Sequence, residues 1–173
     1  MELQEKAKGV KLLLLDVDGV LTDGRLYYTS QGEEVKVFHV RDGLGLKLAQ
    51  RAGMRVGVIS GRNSVALLNR LRELGIEEVH LGHHQKLPVL ESLLRKLSLE
   101  PLNVAFLGDD LVDIPVLRRV GFPMAVADAP VEVREQALCV TTAKGGEGAV
   151  REAVELLLKL RGQWEELLQD YYA

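Results

Sequence analysis

Residues 11–24 read KLLLLDVDGVLTDG. The apolar run over 10–15, with leucine at each of positions 12–15, has the continuous hydrophobicity of a strand covered on both faces, as parallel sheets require. It stops at Asp16. Asp18, Gly19 and Asp23 follow at once. Carboxylates placed directly after a buried strand repel one another unless they are protonated, paired or bound to a cation.

The rest of the chain repeats the theme. Apolar runs fall at 54–60, 78–81, 103–107, 124–127 and 138–142, and helix-like stretches at 43–52, 64–74, 87–97, 111–120 and 131–136. A last helical stretch, 149–160, continues through Trp164 to Tyr172. In the second helix Leu67, Leu68, Leu71 and Leu74 recur at helical spacing, and Gly75 reads as its stop. This alternation predicts an α/β fold: a Rossmann-like parallel sheet with helices on both faces. One segment breaks the rhythm. RLYYTSQGEEVKVFHV, residues 25–40, reads as a β-hairpin, 25–29 against 35–40, inserted after the first strand. There is no repeat and no linker, so 1–173 is expected to be a single domain with that small insertion, a helical tail over 149–172 and no large cap domain.

The 173 residues suffice for one sizeable core. A net charge of -3 without a basic stretch argues against nucleic acid. No run approaches the roughly 20 apolar residues of a membrane helix. A single cysteine, Cys139, cannot form an internal disulfide, and the start lacks a signal peptide's apolar core. The expectation is a cytoplasmic protein with neither membrane nor nucleic-acid partners.

Ligands of open parallel sheets bind at the carboxyl ends of the strands, and right-handed crossovers bring those ends to one edge. Asp16 ends the first strand, Ser60 the second, and Asp109 and Asp110 the fourth. These residues can converge, and Mg²⁺, which prefers one or two carboxylates plus phosphate, would relieve their repulsion. Ser60 and Gly61 offer a hydroxyl and N–H groups to an anion. Lys86 adds positive charge. Such an inventory suits phosphoryl transfer. Arg62 fits either a substrate carboxylate or a helix-face salt bridge, and Arg41 is similar. His39, on the expected hairpin, reads as a strand side chain or a substrate contact. His83 and His84 are adjacent and read as surface or rim residues. Asp23 and Asp42 read equally as caps or turn residues and as ligands, and Asp42, placed before Gly43, suits a helix N-cap.

The stretches DVDGVLTD, SGR, Lys86 and GDDLVD, in that order, resemble the haloacid-dehalogenase-like phosphatases. DVDGVLTDGRLYY, VRDGLGLKLAQRAG, ISGRNS, GDDLVDIPVL and GGEGAVREAVELLL look more narrowly like the 3-deoxy-D-manno-octulosonate 8-phosphate phosphatases. The resemblance implies a Mg²⁺-dependent sugar-acid phosphatase of the lipopolysaccharide inner-core route, a homotetramer with a hairpin in place of a cap. It implies that Asp16 is the nucleophile and Asp18 the acid–base. The metal would be held by the Asp16 side chain, the Asp18 carbonyl and Asp109. Ser60, Gly61 and Lys86 would bind the phosphoryl group, Asp113 would orient Lys86 and Asp110 would support the loop. Arg62, Arg41 and His39 would be substrate contacts, and the KGGEGAV segment would help close a neighbouring subunit's site. Three rivals stand beside this reading: a non-catalytic assembly protein that retains the fold, against which the intact Asp16, Asp18 and Asp109 argue; a phosphatase of a nine-carbon sialic-type acid 9-phosphate; and a phospho-accepting signalling domain. The last would carry its acceptor aspartate at a middle strand end, where this chain has Ser60.

Overall fold

The computed structural model describes residues 2–173. In chain order the elements are α1 (Glu2–Gly9), β1 (Leu12–Leu15), β2 (Tyr27–Tyr28), β3 (Glu34–Val35), α2 (Val40–Arg51), β4 (Arg55–Ile59), α3 (Val65–Glu73), β5 (Glu78–His80), α4 (Lys86–Leu97), β6 (Val104–Gly108), α5 (Ile114–Leu117), β7 (Phe122–Ala125), α6 (Val131–Arg134), β8 (Cys139–Val140), α7 (Ala149–Leu160) and α8 (Trp164–Tyr172). Six strands form a parallel sheet in the order β5-β4-β1-β6-β7-β8. The chain winds outward from β1 to one side, then returns to start again on the other. That reversal opens a crevice at the carboxyl end of β1, between β4 and β6.

β1 is central because its sequence permits nothing else. All four leucines are fully buried, each worth about 1.5–3 kcal/mol of transfer free energy. Leu14 sits in register with Gly57 of β4 and Phe106 of β6. Gly57 is required there: a Cβ would lie 2.9 Å from a Leu14 methyl and 2.8 Å from Glu78 Cβ. Helices flank the sheet, with α2 packed on α7 and α4 on α5. Ser64 caps α3, its hydroxyl accepting from Leu67 N–H at 3.2 Å, and Gly75 follows that helix at φ 68°.

Several local expectations change. Residues 2–9 form a helix where none was expected. The hairpin pairs only Tyr27 with Val35 and Tyr28 with Glu34, and Val40 has already joined α2. His39, not Asp42, caps that helix, its ring accepting from Arg41 N–H. The helix expected over 111–120 splits into a 3₁₀ turn, Leu111–Asp113, and the short α5, because Pro115 lacks the N–H a continuous helix would use. The tail is broken between α7 and α8, where Gly162 takes φ 73°.

Candidate active site

Three strand ends and one helix start build the site. Asp16 follows β1, its N–H donating to Leu107 O at 3.0 Å, which fixes it beside β6. Ser60 follows β4, and its hydroxyl accepts from Arg62 N–H at 3.2 Å. Asp109 follows β6. Lys86 is the first residue of α4 and is almost fully buried. Its Nζ lies 2.6 Å from Asp16 Oδ1 and 2.6 Å from Asp113 Oδ1. Asp113 Oδ2 in turn accepts from the N–H groups of Asp109 and Asp110, at 2.9 and 3.3 Å. Asp110 is exposed and accepts from Leu111 N–H at 2.7 Å, shaping the turn after β6.

These packed acids share too little positive charge. Asp16, Asp109 and Asp113 each have an oxygen within 4.8 Å of the others. Burial, then its contact with Asp16, pushes Asp109 up to about 9. Burial and the Asp113 charge raise Asp16 as well, against the pull of Lys86. Burial alone would lower Lys86, but its two carboxylate partners outweigh that and hold the ammonium above the ordinary lysine range. Asp109 Oδ1 is buried with no hydrogen-bond partner. A divalent cation fits this donor set: hard oxygens, excess negative charge and one orphaned carboxylate atom. Asp113 is the acid of the cluster least able to bind it, since both its oxygens are already engaged.

Close backbone approach tightens the loop. A Cβ on Gly19 (φ 91°) would lie 1.9 Å from Asp109 Oδ2, and one on Gly108 would lie 2.7 Å from Asp113 Oδ2. Gly145, from the glycine segment before α7, lies where a Cβ would come 1.7 Å from Gly19 O. Gly146 N–H donates to Val20 O at 3.0 Å. That segment therefore buttresses the Asp16–Asp23 loop of its own chain. Arg151 pairs with Glu155 at 2.6 Å and lies over Trp164.

Asp16, Asp18, Ser60, Gly61, Arg62, Lys86, Asp109 and Asp110 line one cleft of about 190 Å³, with His84 and Val112 at its margin. Asp113 sits beneath them. His39 and Arg41 are not among the lining residues; they belong to the start of α2. Asp42 is buried, and its Oδ1 accepts from Arg151 N–H at 2.9 Å, so it ties α2 to the start of α7. Asp23 makes a turn, accepting from Arg25 N–H at 2.9 Å and from the Tyr27 hydroxyl at 2.8 Å.

Arg62 does more than the sequence indicated. It donates to Glu34 at 2.5 Å and to the Tyr28 hydroxyl at 3.2 Å, and its Nε stands 3.8 Å from Asp18 Oδ2. Lys36 is a residue sequence reasoning missed. It pairs with Asp18 Oδ1 from the hairpin. Glu34, Lys36 and Phe38 alternate with Val35 and Val37, a pattern that by itself would turn the valines inward; the structure leaves the valines exposed and turns Glu34 and Lys36 toward the acids.

Comparisons with known proteins place the chain among phosphatases. A family model of haloacid dehalogenase-like hydrolases matches residues 78–153. The 3-deoxy-D-manno-octulosonate 8-phosphate phosphatase KdsC of Escherichia coli (strain B / BL21-DE3) is 44% identical over 165 residues, covering 95% of this chain and 88% of the relative. The crystal structure of a probable YrbI family phosphatase from Pseudomonas syringae pv. phaseolica superposes with a TM-score of 0.97 at 47% identity, covering 99% and 98% of the two chains. A 3-deoxy-D-manno-octulosonate 8-phosphate phosphatase from Moraxella catarrhalis, solved with magnesium ion, phosphate ion and KDO, gives 0.96 at 39% identity, covering 98% of each.

Proposed function

This chain belongs to the 3-deoxy-D-manno-octulosonate 8-phosphate phosphatase family of haloacid dehalogenase-like hydrolases, and on that premise we propose that it hydrolyses 3-deoxy-D-manno-octulosonate 8-phosphate to the free sugar acid and phosphate. The observation that carries the reading is the buried Asp16–Lys86–Asp113 arrangement beside Asp109's unpartnered oxygen, open to one small cleft. Asp16 attacks phosphorus and the bond to the sugar oxygen breaks, leaving an aspartyl phosphate. Asp18 gives a proton to the departing oxygen, then takes one from the water that hydrolyses the intermediate. Ser60 and Gly61 N–H hold phosphoryl oxygens, and Lys86, oriented by Asp113, adds charge to the same group. Asp16, the Asp18 carbonyl and Asp109 would hold Mg²⁺, which when bound supplies the positive charge that offsets both the carboxylates and the phosphoryl oxygens.

The cleft is smaller than the ~300–1,000 Å³ of ordinary small-molecule pockets. It suits a phosphoryl group and leaves the sugar acid at its mouth. Arg62, at that mouth, meets the sugar carboxylate. The single domain works in a cytoplasmic homotetramer, in the making of the lipopolysaccharide inner-core sugar, and the outward apolar face of the hairpin supports assembly. No helix among the described residues is long and apolar enough to cross a membrane.

A phosphate-release assay with Mg²⁺ tests the substrate. The panel holds the eight-carbon acid 8-phosphate, a nine-carbon sialic-type acid 9-phosphate and ordinary hexose phosphates. The eight-carbon ester is expected to lead in kcat/KM by about tenfold or more, and activity is expected to vanish in chelator. A lead for the nine-carbon ester would transfer the assignment to that substrate.

A further inference from the structure

The Lys36 side chain keeps only 5% of its surface exposed. An ammonium at that depth needs partners, and it has two. Nζ pairs with Asp18 Oδ1 and lies 3.4 Å from Glu34 Oε1. Glu34's other oxygen takes Arg62, which also reaches Tyr28. One chain of charges thus runs from the hairpin to Asp18. The two oxygens of Asp18 are treated differently. Oδ1 is gripped by Lys36. Oδ2 has Arg62 Nε at 3.8 Å, beyond hydrogen-bond reach, and that buried N–H has no other partner.

We propose that Lys36 is a positioning residue for Asp18: by holding Oδ1 it fixes the carboxyl so that Oδ2 is the atom that moves the proton. The inference rests on the reading of Asp18 as acid–base. As the Asp16–phosphorus bond forms and the bond from phosphorus to the sugar oxygen breaks, the Oδ2 proton passes to that oxygen. When water attacks the aspartyl phosphate, Oδ2 takes a proton back. Proton transfer needs its donor within about 2.6–3.2 Å of the reacting atom, and Asp18 sits in a loop where no other described side chain comes within hydrogen-bond distance of its carboxylate. Because Lys36 follows β3, the insertion acts on the chemistry itself.

The test uses Lys36→Met, which keeps the apolar stem without the charge, and Lys36→Arg, which keeps the charge. Each is assayed for kcat/KM, which reports steps up to the first irreversible one, on three esters with Mg²⁺. These are the sugar-acid phosphate, a simple alkyl phosphate lacking the sugar acid, and 4-nitrophenyl phosphate, whose leaving group departs without a proton. Lys36→Met is expected to lower both alkyl esters about 10²-fold and the aryl ester less than about threefold. Lys36→Arg is expected to recover part of the loss. Parent rates on the alkyl esters, or an equal loss on the aryl ester, would overturn the proposal. So would a loss confined to the sugar-acid phosphate, which would assign Lys36 to sugar binding. Asp18→Asn, run beside them, is expected to show the same leaving-group pattern more severely. If it keeps the parent rate, the acid–base reading falls and this inference with it. If it shows the pattern and Lys36→Met does not, only the positioning role falls.

Discussion

Asp109 is the residue on which the site's charge balance turns. Lys86 neutralises one carboxylate's worth of charge, Asp16 and Asp113 share it, and Asp109 is left with a raised value of about 9. An unfolded aspartate loses its proton near 3.8, so the folded metal-free protein binds the extra proton between those values. Stability that depends on this group is therefore complete below about pH 3.8 and lost as pH rises through about 9. Metal-free protein is expected to lose stability from pH 6 to pH 9 in urea titrations, and Mg²⁺ is expected to flatten that slope by replacing the proton. Asp109→Asn, which carries no titrating carboxyl, should lack the slope; an identical slope in that variant would contradict the assignment. Asp16, Ser60 and Asp109 were legible in the sequence because each lies at or just beyond the end of an apolar run, and Asp18 because it stands two residues after Asp16. Lys36 was not, because a lysine within a β-rich segment looks the same whether it faces solvent or a catalytic acid. The alternation with Val35 and Val37 would by itself bury the valines, and the structure does the reverse.

The elements that matter most are loops held by backbone contact. Gly145 touches the Gly19 carbonyl so closely that a methyl group has no room, and the obstacle is backbone, which cannot rotate aside. Gly145→Ala is expected to displace the Asp16–Asp23 loop and lower kcat about 10²-fold, since a 1 Å misplacement of a reacting group costs that much. The check is kcat beside a melting curve that shows the variant folded; a parent kcat would mean the segment does not support the loop. The sheet strands and α3 were legible because continuous apolar runs and leucines at helical spacing admit few alternatives. The start of α2 was not. Asp42 before Gly43 has the composition of an N-cap, yet tertiary packing drew Asp42 inside to tie α7, and the helix began three residues earlier. The hairpin was overextended because Val35, Val37 and Val40 favour strands wherever they stand, while the paired segment is two residues on each side.

At the scale of the whole molecule, the hairpin is built inside out. Its charged side faces the cleft, and Leu26, Tyr27, Tyr28, Val35 and Val37 are exposed. Apolar side chains clustered on a small insertion mark a surface that wants a partner, in keeping with the proposed tetramer and with a cleft too small to enclose a sugar acid. Tyr27→Lys with Val37→Glu is expected to reduce the assembly to smaller species by light scattering and to slow the sugar-acid phosphate far more than an aryl phosphate; a folded monomer with the parent sugar-phosphate rate would refute the need for assembly. At this edge of the sheet a phosphoryl group passes from the sugar-acid ester to Asp16 in the proposed reaction. Phosphate release from 3-deoxy-D-manno-octulosonate 8-phosphate with Mg²⁺, compared between the parent chain and Asp16→Asn, tests it most directly. Steady turnover by the parent is expected, with a fall of at least about 10³-fold in a variant that still folds, whereas comparable rates from the two proteins would rule out Asp16 as the acceptor.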